Sequence, residues 1–352
     1  MGYEMVKYFE DIDIDEKPNS SQIPLLYYSV FQNIIAIDHF KDECYLFYHF
    51  TDHDNDNLDE LEHLIKSKPA PSYSFEKYAE PNSNLTDDEY KKFVAIAREH
   101  CRRGDVFQLV LSRRFCQGFK GDEFNVYRAL RSINPSPYLF YFDYGGFKIF
   151  GSSPEAQLIV KDGIAEIHPI AGTFKRTGND AKDNQLANKL SNDKKENAEH
   201  VMLVDLARND LSRNSYNLKV ETYKEVQFFS HVIHLVSKVV GSIHKGSDIF
   251  QLVADTFPAG TLSGAPKHKA MQLIECYEPS SRGIYGGAIG FMDFNGNFNH
   301  AIIIRSFLSE DYQLVYQAGA GIVFDSSEEG ELQEVYNKLK ALNKALDIAE
   351  NL

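Results

Sequence analysis

The fold class is decided by residues 86–115, which read TDDEYKKFVAIAREHCRRGDVFQLVLSRRF. Thr86 and Glu89 have the spacing of a capping box, in which each side chain accepts a hydrogen bond from the backbone N–H of the other residue. Apolar side chains then recur on one face, and Gly104 is placed to end the helix in a left-handed conformation. The apolar run that follows Gly104 predicts a buried strand.

Further along the chain, strands and helices fall into separate blocks. Strands are predicted at about 137–143, 147–150, 157–161, 164–168, 217–224, 230–243, 284–293, 298–308 and 311–317. Helices are predicted from Ser191 to about Arg208, near 247–256 and 264–277, and from about 328 to 349. Strictly alternating strands and helices would indicate a parallel sheet, whereas this grouping favours an α+β fold with largely antiparallel sheets.

Composition excludes several classes of protein. The 352 residues are 43% hydrophobic and 25% charged, as in a folded globular chain. With 37 basic and 51 acidic residues the net charge is −14, which argues against a nucleic-acid partner. No apolar run is long enough to span a bilayer, and the first residues show no signal-peptide core, so no membrane partner is expected. The four scattered cysteines indicate neither a zinc site nor a disulfide framework, which fits a reducing cytoplasm.

Two predicted helices each carry a pair of glutamates three residues apart. These pairs are Glu196 with Glu199 and Glu331 with Glu334. A spacing of three puts both side chains of a pair on one helix face. Such pairs are usually solvated, but two faces brought together would suit Mg²⁺, which prefers oxygen ligands.

Other polar residues stand in apolar or glycine-rich surroundings. Arg305 lies among isoleucines in a predicted strand, where burial is costly unless an internal acid or a carboxylate ligand pairs with it. His234 is similarly placed and is compatible with a hydrogen-bonded core residue. Glu155 is either a helix-capping acid or a general acid with a raised pKa. The run from Phe257 to Lys267, and the glycines flanking Ala320, are candidate anion sites or ordinary loop and bulge features.

Taken together, several segments resemble the chorismate-utilising enzymes, and within that family most closely component I of anthranilate synthases. The matching segments are DVFQLVLSRR (105–114), NPSPYLFY (134–141), GSSPE (151–155), HPIAGT (168–173), EHVMLVDLARND (199–210), FPAGTLSGAPK (257–267), RGIYGG (282–287) and QAGAGIV (317–323). The resemblance covers the chain from about residue 86. It implies the chorismate-binding-enzyme fold, in which two large, mainly antiparallel sheets pack on each other with helices outside.

The resemblance also implies a metal site and a set of catalytic groups. Mg²⁺ would be held by Glu199 and Glu334, with Glu196 and Glu331 as further or water-mediated ligands. Glu155 would donate a proton to the leaving C4 hydroxyl of chorismate. The remaining residues implied to take part in catalysis are His234, linked to pyruvate elimination, Gln108 and Thr261.

The resemblance assigns the two carboxylates of chorismate to different groups of residues. Tyr285 and Arg305 match positions that hold the enolpyruvyl carboxylate. Lys338, together with the backbone at Gly319, Ala320 and Gly321, matches the side that holds the ring carboxylate.

Two positions distinguish the subfamilies. Members that add water to chorismate have a lysine base where this chain has Gln108, and glutamine cannot deprotonate water. Members that make 4-amino-4-deoxychorismate have a nucleophilic lysine where this chain has Ala171. The resemblance therefore favours anthranilate formation from chorismate and ammonia, with loss of pyruvate. Aminodeoxychorismate synthase and isochorismate synthase are the enzymatic alternatives.

The N-terminal region departs from the family pattern. Residues 1–10 resemble a segment from the middle of family members, so we expect residues 1–85 to be the remnant of a larger N-terminal region plus a connector at 67–74, and residues 86–352 to be the catalytic domain. An inactive fragment with a binding or scaffold role is a third hypothesis. No glutaminase motif surrounds any cysteine, so the ammonia is expected from a separate glutamine amidotransferase subunit, in a possible hetero-oligomer.

Overall fold

A computed structural model describes residues 1–15, 17, 23–49, 58–67, 73–229 and 232–352, apart from the side chain of Thr173. Contacts divide these residues into two units, one formed by Met1–Leu25 and Ser74–Leu352 and the other by Leu26–Tyr73. The predicted domain boundary near residue 85 stays a prediction. Most of the proposed connector at 67–74 lies outside the described residues.

The strands are numbered in chain order. They are β1 Asn33–Asp38, β2 Glu43–Tyr48, β3 Phe75–Lys77, β4 Asn82–Ser83, β5 Gln108–Gly121, β6 Tyr138–Asp143, β7 Phe147–Ser153, β8 Ala156–Lys161, β9 Ile164–Ile167, β10 Ile170–Lys175, β11 Ser215–Phe228, β12 Val232–Ile243, β13 Gly264–Ala265, β14 Ala288–Met292, β15 Phe298–Ile302, β16 Ser306–Glu310 and β17 Gln313–Ile322.

The α-helices are numbered in the same way, and a short 3₁₀-helix spans Tyr3–Tyr8. They are α1 Leu58–Ser67, α2 Asp87–Arg103, α3 Phe124–Ile133, α4 Asp180–Asn192, α5 Lys194–Ser212, α6 Ile249–Thr256, α7 Gly260–Ser263, α8 Lys267–Tyr277 and α9 Glu328–Ala349. None of the helices in the described residues is both long and apolar enough to cross a membrane.

The larger unit is built on two antiparallel sheets. Sheet I has the strand order β10-β12-β9-β8-β15-β14, with β11 also paired to β12. Sheet II has the order β13-β5-β17-β16-β7-β6, with β3 and β4 paired to β5. The smaller unit contains the hairpin β1-β2 and helix α1. The expected α+β architecture with large antiparallel sheets is confirmed.

Apolar burial holds the helices on the sheets. One cluster joins sheet II to α2, α3 and α9, and another joins sheet I to α5 and α6. A third cluster contains Ile149 and Leu308 of sheet II together with Ile289 and Ala301 of sheet I. The two sheets therefore share one apolar contact region.

Local sequence signals explain several element boundaries. Thr86 and Glu89 form the predicted capping box, and Gly104 ends α2 with φ +81°. The predicted helix start at Ser191 is wrong, because Asp193 accepts hydrogen bonds from the first turn and separates α4 from α5. The predicted strand at 298–308 is also wrong: it is two strands in different sheets, β15 and β16.

Candidate active site

Two stretches of chain cross between the sheets side by side. The first leads from β7 to β8 through Glu155, and the second leads from β15 to β16 through Arg305. Backbone hydrogen bonds join them, from Ser152 N to Arg305 O at 3.1 Å and from Ile302 N to Glu155 O at 3.0 Å. The candidate acid and the candidate arginine therefore lie together where the sheets meet.

Arg305 has a backbone conformation that suits this crossing. Its φ is +51°, in the left-handed region that non-glycine residues rarely adopt. Such strain is commonly found at functional sites. Burial lowers the pKa of the guanidinium, and the nearby charge of Glu155 raises it.

Glu155 has the protonation behaviour of a general acid. Burial raises its pKa from 4.5 to about 7, while the Thr261 hydroxyl and the charges of Lys338 and Arg305 oppose that rise. Thr261 Oγ1 donates to Glu155 Oε1 at 3.0 Å. A carboxyl group with a pKa near neutrality holds a proton in a substantial fraction of molecules and can release it.

The two predicted glutamate pairs approach each other. Glu196 and Glu199 lie on α5, and Glu331 and Glu334 lie on α9. Burial raises the pKa of Glu196, Glu199 and Glu331, and the charge of Glu334 raises each of them further. The charge of Glu334 on α9 therefore acts on both glutamates of α5, which places the two pairs in one electrostatic neighbourhood.

The donors in this neighbourhood fit a hard cation with few direct protein ligands. Glu331 Oε2 is buried and has no hydrogen-bond partner. In the part of the chain that the structure describes, no three His, Cys, Asp or Glu side chains are close enough together to chelate a metal ion. Mg²⁺ commonly binds through one or two carboxylates and retains several waters, so the donor set is compatible with it.

Gln108 lies beside the glutamates at the start of β5. Its Nε2 donates to Glu199 Oε1 at 3.0 Å, and its Oε1 is buried without a hydrogen-bond partner. Gly321 in the neighbouring strand β17 leaves room for this side chain, because a Cβ at that position would lie 2.5 Å from Gln108 Nε2. The glycine thus serves close packing as well as strand pairing.

Two of the predicted substrate-binding side chains, Lys338 and Tyr285, lie beside the backbone near the end of β17. Lys338 Nζ donates to Gly319 O at 2.8 Å and pairs with Glu334 at 2.7 Å. A Cβ at Gly319 would lie 3.1 Å from the hydroxyl of Tyr285 and 2.7 Å from a strand carbonyl. Ala320, between the two glycines, is fully buried. The open backbone therefore faces a tyrosine and a lysine.

His234 on β12 has a defined tautomer. Its Nδ1 lies 2.7 Å from the carbonyl oxygen of Gly172, which can only accept, so Nδ1 carries the proton when the ring is neutral. Burial lowers the pKa of His234, and the charge of Arg305 lowers it further. A Cβ at Gly172 would lie 3.1 Å from Glu196 Oε2. Gly172 therefore connects the histidine to the glutamate cluster.

Sequence reasoning missed a buried ion pair that supports the site. Arg282 bonds both carboxylate oxygens of Glu278, at 2.6 and 2.9 Å, and also donates to the carbonyls of Leu262 and Val110. Its guanidinium lies 5.6 Å from the ring centre of Tyr285. The i,i+4 spacing of an acid and an arginine was the available signal, although it also occurs on solvated helices.

Comparison with known proteins agrees with this arrangement. A family model described as chorismate binding enzyme matches residues 1–344. Anthranilate synthase component 1 of Aquifex aeolicus is 48% identical over 270 residues, which are 76% of this chain and 55% of that protein. This chain thus spans little more than half the length of that relative. The chain belongs to the chorismate-binding enzyme family.

Solved structures show the same fold. The crystal structure of anthranilate synthase component I from Streptococcus pneumoniae aligns with a TM-score of 0.88 and 36% identity, covering 97% of this chain and 79% of that one. The menaquinone-specific isochorismate synthase of Escherichia coli aligns with a TM-score of 0.74 and 25% identity, covering 82% and 67%. The chain is therefore more similar to the first of these two structures.

Proposed function

We propose that this chain converts chorismate and ammonia into anthranilate and pyruvate, as component I of an anthranilate synthase in the cytoplasm. Gln108 and Ala171 carry the proposal, since they occupy the two positions where the alternative activities would require a lysine. Gln108 contacts Glu199, and Ala171 is buried on β10 directly before Gly172. Neither side chain supplies a base or a covalent nucleophile.

Chorismate would lie between the glutamate cluster and the two crossing segments. Tyr285 and Arg305 would hold its enolpyruvyl carboxylate, Arg305 through its guanidinium donors. Lys338 and the backbone at Gly319–Gly321 would face the ring carboxylate. Arg305, Lys338 and a bound cation would supply the positive charge that a dianion requires in a chain with a net charge of −14.

Glu199 and Glu334 would hold Mg²⁺, with Glu196 and Glu331 contributing directly or through water. When bound, the metal would neutralise the ring carboxylate and favour loss of the C4 hydroxyl. The unpartnered Oε2 of Glu331 supports this assignment, because a buried acceptor without a partner is destabilising unless a ligand occupies it.

Protein side chains would carry the proton steps. Glu155 would give its proton to the C4 hydroxyl, which leaves as water. The proton on His234 Nδ1 is engaged by Gly172, so the other ring nitrogen, Nε2, would act in the elimination of pyruvate. Ammonia attacks without a lysine intermediate, because Ala171 offers none.

The ammonia source is proposed to be a separate glutamine amidotransferase subunit. Ammonium salts at alkaline pH would replace that subunit in a direct assay. Such an assay, with chorismate, Mg²⁺ and ammonium, is expected to show anthranilate fluorescence that disappears on chelation of the metal. Products should also be separated by chromatography, because isochorismate or 4-amino-4-deoxychorismate would instead support one of the alternatives.

A matched variant sharpens this test. Ala171→Lys is expected to reduce anthranilate formation strongly, because a long charged side chain enters a buried position. The control is Glu80→Gln, at an exposed glutamate outside the site. Unchanged anthranilate production by Ala171→Lys would remove the main argument for this activity. No product from folded wild-type protein would favour an inactive fragment.

A further inference from the structure

A cavity extends from Glu155 along helix α5, away from the glutamate cluster. Its lining includes Glu155, Thr261, Asp210 and Thr256. Leu203, Leu206 and Ala207 also line it, and each is farther along α5 than Glu199. The cavity has room for about two water molecules.

One polar atom of a side chain that lines this cavity lacks a hydrogen-bond partner. Gln157 is only 3% exposed, and its Nε2 donates to Thr256 Oγ1 at 3.1 Å, whereas its Oε1 has no hydrogen-bond partner. Turning the amide around would leave its nitrogen unpartnered instead. In either orientation one buried polar atom of Gln157 needs a ligand that can form a hydrogen bond.

A second polar group lines the cavity. Asp210 is buried and pairs with Lys267 Nζ at 2.6 Å, and Lys267 also donates to Thr256 O at 3.3 Å. Burial raises the pKa of Asp210, and the neighbouring Lys267 opposes that rise. In its ionised form the carboxylate can only accept hydrogen bonds. The amide oxygen of Gln157 and the carboxylate of Asp210 can accept hydrogen bonds, and the lining also contains Glu155, His168, Thr256 and Thr261 beside its apolar side chains. A small polar cavity of this kind favours water, which every aqueous solution supplies.

We propose that this cavity is a hydrated passage that returns a proton to Glu155 from the side away from the substrate. The inference rests on the proposed function, in which Glu155 loses one proton to the departing hydroxyl in each turnover. Water in the cavity passes one proton to the Glu155 carboxylate and recovers it from bulk solvent. No electrons move, and one proton enters for each proton that Glu155 releases.

Gln157 is a positioning residue in this arrangement. Its amide oxygen holds the water in place, and Glu155 remains the group that reacts. Gln157→Met retains the length and approximate volume of the side chain but removes the acceptor. Thr256 Oγ1 keeps its own bonds to the carbonyls of Leu252 and Val253 in this variant.

The kinetic test compares wild type, Gln157→Met and Gln157→Glu, which retains an acceptor. We expect Gln157→Met to lower kcat about tenfold, with the KM for chorismate unchanged and a larger solvent deuterium isotope effect on kcat. Gln157→Glu should restore much of the rate. A lower kcat without a larger isotope effect would indicate a purely structural role and overturn the proposal, as would an unchanged kcat.

A second experiment tests the proposal without depending on turnover. A high-resolution crystal structure of the wild-type chain should show ordered water within hydrogen-bond distance of Gln157. A dry cavity would overturn the proposal even if anthranilate is formed. Water in the cavity of a chain that forms no anthranilate would instead leave the hydration correct and refute the proposed function. If Gln157→Met fails to fold, Ala207→Leu blocks the same cavity with the acceptor intact, and the same kinetic changes are expected.

Discussion

Replacement of Glu155 by glutamine tests the electrostatics of the site without any ligand. Burial raises the pKa of Glu155 from 4.5 to about 7, so the folded protein holds this proton more tightly than the unfolded chain. Between these two values the folded state has more protons bound than the unfolded state. The free energy of unfolding therefore falls as pH rises, and the loss is complete above pH 7. The stability of the glutamine variant does not fall in this way, because a glutamine side chain does not ionise.

The size of the effect follows from the two pKa values. One pKa unit corresponds to about 1.36 kcal/mol, so the ionisation of Glu155 destabilises the wild type by about 0.8 kcal/mol at pH 5 and about 3.3 kcal/mol at pH 8. The difference is about 2.5 kcal/mol. For a chain of this length the entropy of unfolding is roughly 0.7 kcal/mol per kelvin. The difference in Tm between Glu155→Gln and the wild type should therefore increase by about 3 °C from pH 5 to pH 8.

Differential scanning calorimetry at several values between pH 5 and pH 8, with neither chorismate nor Mg²⁺, measures this change. The difference in Tm between the two proteins is taken at each pH. This difference cancels the contribution of every other titrating group and any constant effect of the new amide. Glu80→Gln, an exposed position outside the site, is the control and should follow the wild type at each pH. A Tm difference that stays constant, or that shrinks as pH rises, would refute the assignment of a raised pKa to Glu155.

Five substitutions test other parts of the site. Glu199→Ala and Glu334→Ala are expected to abolish turnover and the rise of Tm that Mg²⁺ causes. Both variants should still melt in a cooperative transition, which shows that they fold. Turnover in either variant would contradict the metal assignment. Thr261→Val removes the hydroxyl that stabilises the carboxylate of the acid residue, so the pKa of that residue should rise and the alkaline limb of the kcat profile should move to higher pH. Gly321→Ala should lower kcat/KM by up to about a hundredfold through displacement of the neighbouring glutamine, with Tm as the control for folding. Arg282→Met leaves a buried carboxylate unpaired and should lower Tm by about 4–7 °C, which calorimetry measures directly.

Local patterns predicted most elements of the fold. The capping box at Thr86, the left-handed Gly104 that ends α2 and the final helix from residue 328 to 349 agree with the structure. Each depends on residues close together in sequence, because capping and turn formation are short-range interactions. The antiparallel grouping of strands followed from the same local signals.

The sheet crossings could not be predicted in this way. Residues 298–308 have the apolar pattern of one strand, yet the chain leaves sheet I after Ile302 and enters sheet II at Ser306. Backbone hydrogen bonds hold this crossing beside the one at Glu155, which is distant in sequence. The position of Arg305 therefore depends on tertiary contacts, and its surroundings could be inferred only as a need for a partner.

The candidate site, too, could be predicted only in part from the sequence. Glutamate spacing predicted which side chains share a helix face, but the convergence of α5 with α9 depends on how both helices pack on the sheets. The roles of these residues came from family resemblance and stay predictions. The unpartnered oxygens of Gln108, Gln157 and Glu331 had no signal in the sequence, because the lack of a partner is a property of the folded surroundings.

The pairing of β5 with β17 affects how the protein is made in the cell. These strands pair from Leu109 with Ile322 to Gly118 with Gln313, so the partners are about 200 residues apart in the chain. At about 5–20 residues per second, a ribosome needs roughly 10–40 s to synthesise the chain between them. During that time β5 lacks its central neighbour and exposes an apolar strand edge. We therefore expect nascent chains that stall before β17 to depend on chaperones and to aggregate when released.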